Sequence, residues 1–155
     1  MLCLLFQLGN ERYALDARQA VEVIPLVAVK RIPQAPRGVA GIFNYRGRPV
    51  PAVDLSELAT ERPARELLST RIIVVNVPDA AGRPQLTGLI AEQATSTFRC
   101  DENRFVDAGV TGHRSPYLGP VMMDPGGLVQ LLRPEHLVND SVRQQLSGAN
   151  LEYQP

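Results

Sequence analysis

The sequence has no tryptophan, few aromatic residues (5%), two cysteines, two histidines and a single lysine, Lys30. Its 16 basic residues balance 16 acidic residues, so the formal net charge is zero. A chain without excess positive charge and with few rings has little with which to neutralise phosphates or stack on bases. These absences argue against a partner that is a nucleic acid.

Long apolar runs are also absent. The run that opens at Met1 has no basic residues beside it and is interrupted at Gln7, which fits neither a secretory signal nor a membrane span. Cys3 and Cys100 follow no metal-ligand spacing, and one possible disulfide is a weak framework for 155 residues. The sequence therefore predicts a protein of a reducing, cytoplasmic compartment.

Turn-forming residues are abundant, with 13 prolines and 12 glycines. Gly9 and Asn10 have the chemistry of a tight hairpin turn between strands at 2–8 and 11–15. Further strands are predicted at 21–26, 27–32, 39–45, 48–53, 71–77, 86–98, 117–123 and 128–132, with a four-residue loop over 124–127. Because these strands do not alternate with helices, the sequence predicts a mostly β protein of antiparallel barrels rather than a nucleotide-binding α/β sheet.

Helical signals are few and short. Asp16 is placed to cap one turn, Asp54 and Glu57 have the spacing of a capping box, and Pro134 can begin another turn. A last short helix is predicted over 142–146. Three local features are predicted elsewhere: a buried central strand at 71–77, a mobile surface loop at 60–69, and two prolines, Pro49 and Pro51, whose missing N–H groups require one side of their strand to face solvent, a bulge or a partner.

Groups able to converge on a catalytic centre are scarce. His113 and His136 have no ligand partner at metal-binding spacing, and the sequence has neither a nucleophile elbow nor a phosphate-binding glycine loop. Cys3 and Cys100 could act as a nucleophile or a redox pair only beside a base, and a cysteine in an apolar strand is usually a small buried hydrophobe. A small hydrolase using His113 or Cys100 is the weaker alternative, so the sequence predicts no enzyme, cofactor or metal site.

Segment 38–55 is the most distinctive part of the chain. It places Arg46 and Arg48 on either side of Gly47, at the turn between two predicted strands. A turn arginine is either a solvated charge or an anchor for a partner's carboxylate or carbonyl groups. A separate structural hypothesis is that Arg46 bridges two barrels of the fold through a buried carboxylate such as Asp54.

An ordered series of motifs over residues 4–138 resembles the CheW family, the non-catalytic adaptors that couple chemoreceptors to a histidine kinase in bacterial chemosensory arrays. The similarity begins at the first hairpin, continues around Glu22 and extends to 128–132. The residues of its most specific stretch are Ile32, Pro33, Ala35, Pro36, Val39, Gly41, Ile42, Asn44, Arg46, Gly47, Val50, Pro51, Val53, Asp54 and Leu55.

This resemblance implies one domain over residues 1–140, built from two intertwined SH3-like five-stranded β-barrels with short helices, followed by a C-terminal helix and tail over 141–155. It implies a non-catalytic scaffold without cofactors, located in the cytoplasm and recruited to membrane receptor complexes. The implied partners are the cytoplasmic signalling domain of a chemoreceptor and the regulatory domain of a CheA-type histidine kinase. By position, the receptor-contacting residues are Arg46, Gly41, Glu22, Ala20 and Val23.

The chain also departs from the family pattern. Residues 91–94 read Ala, Glu, Gln, Ala where the family commonly has Val, Asp and Val, which suggests a different pairing with the kinase. The other departures are Phe43 and Tyr45 in place of aliphatic residues, Pro120 after Gly119, and Arg133 where an Asp is common. These differences suggest a divergent adaptor of an alternative chemosensory system, such as a second-messenger or surface-response pathway. An adaptor that works without the kinase stays open.

Overall fold

The computed structural model describes residues 1–109 and 115–137. The strands in these residues are β1 (Leu2–Leu8), β2 (Glu11–Asp16), β3 (Ala20–Pro25), β4 (Val39–Tyr45), β5 (Arg48–Asp54), β6 (Arg71–Pro78), β7 (Pro84–Arg99), β8 (Leu118–Asp124) and β9 (Gly127–Leu132). Helix α1 is Leu55–Thr60, and 3-10 turns lie at Ala17–Gln19, Glu102–Arg104 and Pro134–His136. The mostly β prediction is confirmed. The helix predicted over 142–146, and the 141–155 segment that contains it, lie outside the described residues.

Strand β7 belongs to both halves of the fold. Its first half pairs antiparallel with β6 and parallel with β5, whereas its second half pairs with β1. One five-stranded sheet therefore has the order β4-β5-β7-β6-β3, and the other has the order β7-β1-β2-β9-β8. We call them the first barrel and the second barrel, respectively. The predicted pair of SH3-like five-stranded barrels thus has its halves joined by one shared strand.

Three hydrophobic clusters pack the described residues. Phe43, Val50, Ile72 and Val74 belong to a cluster of the first barrel, and Cys3, Ala14, Met122 and Val129 belong to one of the second. The largest cluster takes residues from both barrels, among them Phe6, Leu15, Ile73, Val75, Leu89 and Tyr117. Successive residues of β6 alternate between two of these clusters, which confirms the prediction of a central strand buried on both faces.

Between β3 and β4, the chain forms one isolated β-bridge with the first barrel. Lys30 and Ile42 exchange two backbone hydrogen bonds, with N···O distances of 2.8 and 2.9 Å. The strand predicted over 27–32 is therefore wrong apart from this bridge. The register of β4 shifts between Val39 and Gly41, and the crossing chain contacts β4 there instead of running beside it.

The β8–β9 hairpin is tighter than the sequence predicts. Asp124 and Gly127 are paired across the strands, so the predicted four-residue loop over 124–127 has only two unpaired residues. The Asp124 carboxylate accepts a hydrogen bond from the Gly126 N–H at 2.7 Å and forms an ion pair with Arg12. The Arg12 guanidinium also holds the pKa of Asp124 below its usual value. These contacts fix the turn and extend the strand ladder by one pair.

The prolines of β5 lie where the strand has one neighbour. Pro49 and Pro51 stand opposite β4, while pairing with β7 begins only at Ala52. Their missing N–H groups therefore remove no bond from the β5–β7 ladder, as the sequence pattern required. The predicted cap of α1 is also confirmed, because the Asp54 carboxylate accepts from the Glu57 N–H at 3.1 Å.

Two buried carboxylates hold the loop between α1 and β6, which the sequence predicts to be mobile. Asp54 accepts a hydrogen bond from the Ala64 N–H at 2.9 Å. Glu92, one of the departures from the family pattern, accepts from the Arg65 N–H at 3.1 Å and from Arg65 Nε at 2.6 Å. The Glu92 residue is only 2% exposed, so it has a structural role in this chain.

We expect Glu92→Ala to lower the free energy of unfolding by about 2 kcal/mol, because it leaves the Arg65 N–H without its acceptor and opens space beside β7. Urea denaturation of both proteins checks this value. Glu66→Ala, in the same loop but exposed, is the matched control and should change stability by less than about 0.5 kcal/mol. Equal effects of the two substitutions would contradict the role given to Glu92.

The two cysteines are free, buried and in contact, with their sulfur atoms 3.7 Å apart. Burial and the neighbouring Cys100 thiol raise the pKa of Cys3 to about 12. Because both thiols are buried and the reagent must reach the sulfur atom to react, we expect iodoacetamide to label both cysteines at least ~100-fold more slowly in the native protein than in urea. Mass spectrometry of timed samples at pH 8 checks this, and fast native labelling would restore the hypothesis of a nucleophilic cysteine.

Candidate partner-binding site

The turn between β4 and β5 presents Arg46 on a fixed backbone. Arg46 and Gly47 both have positive φ angles, of 52° and 83°, as a two-residue hairpin turn of this handedness requires. The Asn44 side-chain oxygen accepts a hydrogen bond from the Gly47 N–H at 2.8 Å and closes the turn. The sequence prediction of a turn at Arg46 and Gly47 is confirmed.

Three side chains meet beside this turn: Glu22 of β3, Tyr45 of β4 and Arg46. We call them the turn cluster. The terminal Nη2 of Arg46 donates to both carboxylate oxygens of Glu22, at 3.0 and 2.9 Å. The Tyr45 hydroxyl donates to Glu22 Oε2 at 2.5 Å, and the guanidinium carbon of Arg46 lies 5.5 Å from the centre of the Tyr45 ring. The cluster thereby joins β3 to β4, the two outer strands of the first barrel.

Hydrogen bonding fixes the protonation states of the cluster. The Tyr45 hydroxyl, followed by Arg46, lowers the pKa of the Glu22 carboxyl. The Glu22 carboxylate in turn raises the pKa of the Tyr45 phenol. At neutral pH Glu22 is therefore ionised and Tyr45 is protonated, so the negative charge of Glu22 balances the positive charge of Arg46.

Ala20 and Val23, the other β3 residues predicted to contact a receptor, do not lie on the same face of the strand as Glu22. A bulge interrupts the pairing of β3 with β6 between Ala20 and Glu22. Ala20 stands opposite Val75 and Val23 opposite Ile73, whereas Glu22 stands opposite Val74. Since paired residues of an antiparallel sheet share a face, Ala20 and Val23 belong to the face of the central cluster and Glu22 to the opposite face. Val23 remains 38% exposed.

Gly41 is buried and lies at the closure of the first barrel rather than in the turn cluster. With φ at +148°, a Cβ added here would lie 2.0 Å from the carbonyl oxygen of Lys30. The absence of a side chain therefore lets the Lys30 backbone approach β4. The role that the structure shows for Gly41 is therefore to permit the close packing of the Lys30 backbone against β4.

The hypothesis that Arg46 bridges through Asp54 is wrong. Both Asp54 oxygens accept backbone hydrogen bonds, from Glu57 and Ala64, while Arg46 pairs with Glu22 and its side chain is 72% exposed. Tyr45 is the cluster member that the site prediction omitted. The aromatic residue in an aliphatic family position beside Arg46 was the sequence signal for it.

The described residues contain no group of three or more His, Cys, Asp or Glu side chains that could hold a metal ion. A groove of about 720 Å³ lies beside Asp54 and the 26–36 segment, but the Asp54 oxygens are already used by backbone amides. Burial raises the pKa of this carboxyl. His113, proposed for a hydrolase, lies outside the described residues. In the part of the chain that the structure covers, no helix is long and apolar enough to cross a membrane.

Comparison with known proteins identifies the family. The family model for the CheW-like domain matches residues 2–142, nearly the whole chain. The chain belongs to the CheW-like domain family. Among solved structures, the crystal structure of the scaffolding protein TtCheW from Thermoanaerobacter tengcongensis aligns with a TM-score of 0.79 at 22% identity, covering 94% of this chain and 92% of that one. At this identity the likeness establishes the fold.

Curated relatives of this CheW-like chain have been described as chemotaxis protein CheW. The Helicobacter pylori protein is 28% identical over 94 residues, which are 61% of this chain and 54% of that protein. The Treponema pallidum protein is 35% identical over 80 residues, which are 48% of this chain and 46% of that protein. The chain thus spans about half the length of the curated relatives it matches.

Proposed function

We propose that this CheW-like chain is a non-catalytic adaptor that couples the cytoplasmic signalling domain of a chemoreceptor to the regulatory domain of a CheA-type histidine kinase. The turn cluster carries the proposal. It exposes a positioned arginine at the rim of a CheW-like barrel, at the place where family resemblance puts receptor contacts. Membership of the family and relatives described as chemotaxis proteins support the same role.

The receptor surface would combine the cluster with the outer edge of β3. Val21 and Val23 are 51% and 38% exposed, which is unusual for two aliphatic side chains on one short strand. Arg46 would set orientation through hydrogen bonds while the valines supply apolar contact. Ala20 would support this edge from the central cluster, and Gly41 would act through the shape of the barrel.

A second exposed surface, at one end of the second barrel, is apolar and is suited to binding the kinase. Met123 and Leu128 stand opposite each other on β8 and β9 and are 61% and 55% exposed. Val106, bridged to Val121 of β8, is 59% exposed. This apolar end of the second barrel would pack against a barrel of the kinase regulatory domain, where exposed apolar side chains gain most from burial.

Each contact can be modest in such an assembly. An array presents many receptors and kinases at once, and the high effective concentration makes weak individual interfaces sufficient. The protein would remain in the cytoplasm and reach the membrane only through receptors. Its departures from the family pattern, Tyr45 and Glu92 among them, fit an adaptor of an alternative chemosensory system.

Direct binding tests the proposal. Purified receptor signalling domains and kinase regulatory domains from the same organism should each bind the immobilised protein, and all three should co-elute as one complex. Met123→Glu should weaken kinase binding and leave receptor binding unchanged. If the protein binds none of the receptors and none of the kinases of the organism, the adaptor function is rejected. If kinase binding is unchanged in Met123→Glu, the apolar end of the second barrel is not the kinase-binding surface.

A further inference from the structure

The Tyr45 hydroxyl gives the turn cluster a hydrogen-bond donor that an aliphatic residue at this position could not supply. We propose that Tyr45 holds Glu22 and Arg46 as a preformed neutral pair that recognises a neutral hydrogen-bond acceptor on the receptor, a backbone carbonyl or an Asn or Gln side-chain carbonyl, in preference to a carboxylate. This inference rests on the proposed receptor-binding role of the same site. It makes Tyr45 a positioning residue that determines specificity.

The geometry fixes both members of the pair. Glu22 receives three hydrogen bonds, one from the Tyr45 hydroxyl and two from Arg46. The Tyr45 ring lies under the guanidinium at 5.5 Å, a distance at which its face attracts the cation. Arg46 is thus held at two places, by its terminal nitrogen and by its flat face, and loses little further freedom on binding.

The guanidinium keeps donors for a partner. Only Nη2 of Arg46 is used by Glu22, and Nε and Nη1 have no acceptor among residues 1–109 and 115–137. The side chain is 72% exposed, so these donors face solvent. A planar group with fixed, unused N–H donors is suited to a partner's oxygen atom.

Charge determines which oxygen atom is preferred. A carboxylate bound to Arg46 would lie close to the ionised Glu22 carboxylate, and two negative charges would then share one guanidinium. A carbonyl oxygen accepts the same hydrogen bonds without that repulsion. The partner group that fits Arg46 is therefore a neutral hydrogen-bond acceptor.

The first test compares Tyr45→Phe with the wild-type protein for binding to a receptor signalling domain. Phenylalanine keeps the ring and removes only the hydroxyl bond to Glu22. We expect the wild-type affinity to change less than about 2-fold between 50 and 500 mM NaCl, because the pair has no net charge. Tyr45→Phe should bind about 10-fold more weakly, with a melting temperature within about 2 °C of wild type. Equal affinities would overturn the proposal.

Glu22→Gln tests the charge argument with little change of shape. It gives the cluster a net positive charge, so binding should become salt-sensitive, and receptor variants with Gln→Glu or Asn→Asp at the contact should gain affinity for it. Wild-type protein should lose affinity for those same receptor variants. A wild-type preference for the acidic receptor variants would overturn the proposal.

A measurement without a receptor separates the positioning role from the adaptor function. In ¹⁵N relaxation measurements, the order parameter of the Arg46 Nε–H signal should be high in wild type and lower in Tyr45→Phe, since the released guanidinium becomes mobile. An unchanged order parameter would overturn the positioning role even if receptors bind. If no receptor binds the wild type, the adaptor function fails, and this signal still decides whether Tyr45 holds Arg46.

Discussion

Replacing Gly41 with alanine is expected to lower the melting temperature by about 10 °C, corresponding to about 3 kcal/mol for a domain of this size. The new Cβ would lie 2.0 Å from the Lys30 carbonyl oxygen and 2.7 Å from its carbon. Both are backbone atoms, so no side-chain rotation can relieve the collision. The φ of +148° adds strain, since L residues rarely adopt it. The chain must move away from β4 and lose the bridge between Lys30 and Ile42.

Gly47→Ala provides the matched control. Gly47 also has a positive φ, of 83°, but a Cβ there would meet no atom within 4 Å. This substitution should cost only about 1 kcal/mol, the backbone strain alone. Calorimetry of the three proteins separates strain from collision. If Gly41→Ala melts no lower than Gly47→Ala, the close approach of Lys30 is not what fixes glycine at this position.

Replacing Arg46 with alanine is expected to weaken receptor binding at least ~10-fold while moving the melting temperature by less than about 2 °C. The side chain is 72% exposed, and within residues 1–109 and 115–137 its hydrogen bonds and its ring contact are with Glu22 and Tyr45. The barrel therefore loses little on its removal, whereas a bound partner loses a positioned donor. Titration of a labelled receptor domain, together with thermal unfolding, measures the two effects independently.

Arg48→Ala is the control for charge. Arg48 is exposed in the same hairpin, so its removal changes net charge equally and should alter receptor affinity by less than about 2-fold. If both variants lose the same receptor affinity, Arg46 contributes only general electrostatic attraction. If the melting temperature of Arg46→Ala falls by much more than about 2 °C, Arg46 has a structural role instead. Kinase binding should be unchanged in both variants.

Features with local causes were predictable from the sequence. The first hairpin follows from Gly9 and Asn10, the cap of α1 follows from Asp54, and the turn at Arg46 and Gly47 follows from its flanking strands. Each of these depends on residues within a few positions of one another. The buried strand β6 was also predictable, because a continuous aliphatic run on two faces requires packing on both.

Features that depend on chain closure were not predictable from the residues alone. Glu22 and Arg46 are 24 residues apart, and Cys3 and Cys100 are 97 apart. Their contacts depend on the order of the strands. The overprediction of strand over 27–32 has the same origin: β-branched residues favour extended backbone, but a ladder also needs a partner in register. From the sequence alone, Glu92 is an ordinary polar residue of a strand. Its burial and its hydrogen bonds with Arg65 are visible only in the folded structure.

The shared strand β7 has a geometric consequence for an adaptor. Its 16 residues run from one barrel into the other, and Gln93, with a φ of 52°, lies where the pairing of β7 passes from β6 to β1. No linker separates the barrels along this strand, so partners bound to different barrels would keep a fixed relative orientation. In an assembly that repeats this unit, the angle between neighbouring partners would therefore be set by β7 together with the hydrophobic cluster that packs the two barrels against each other.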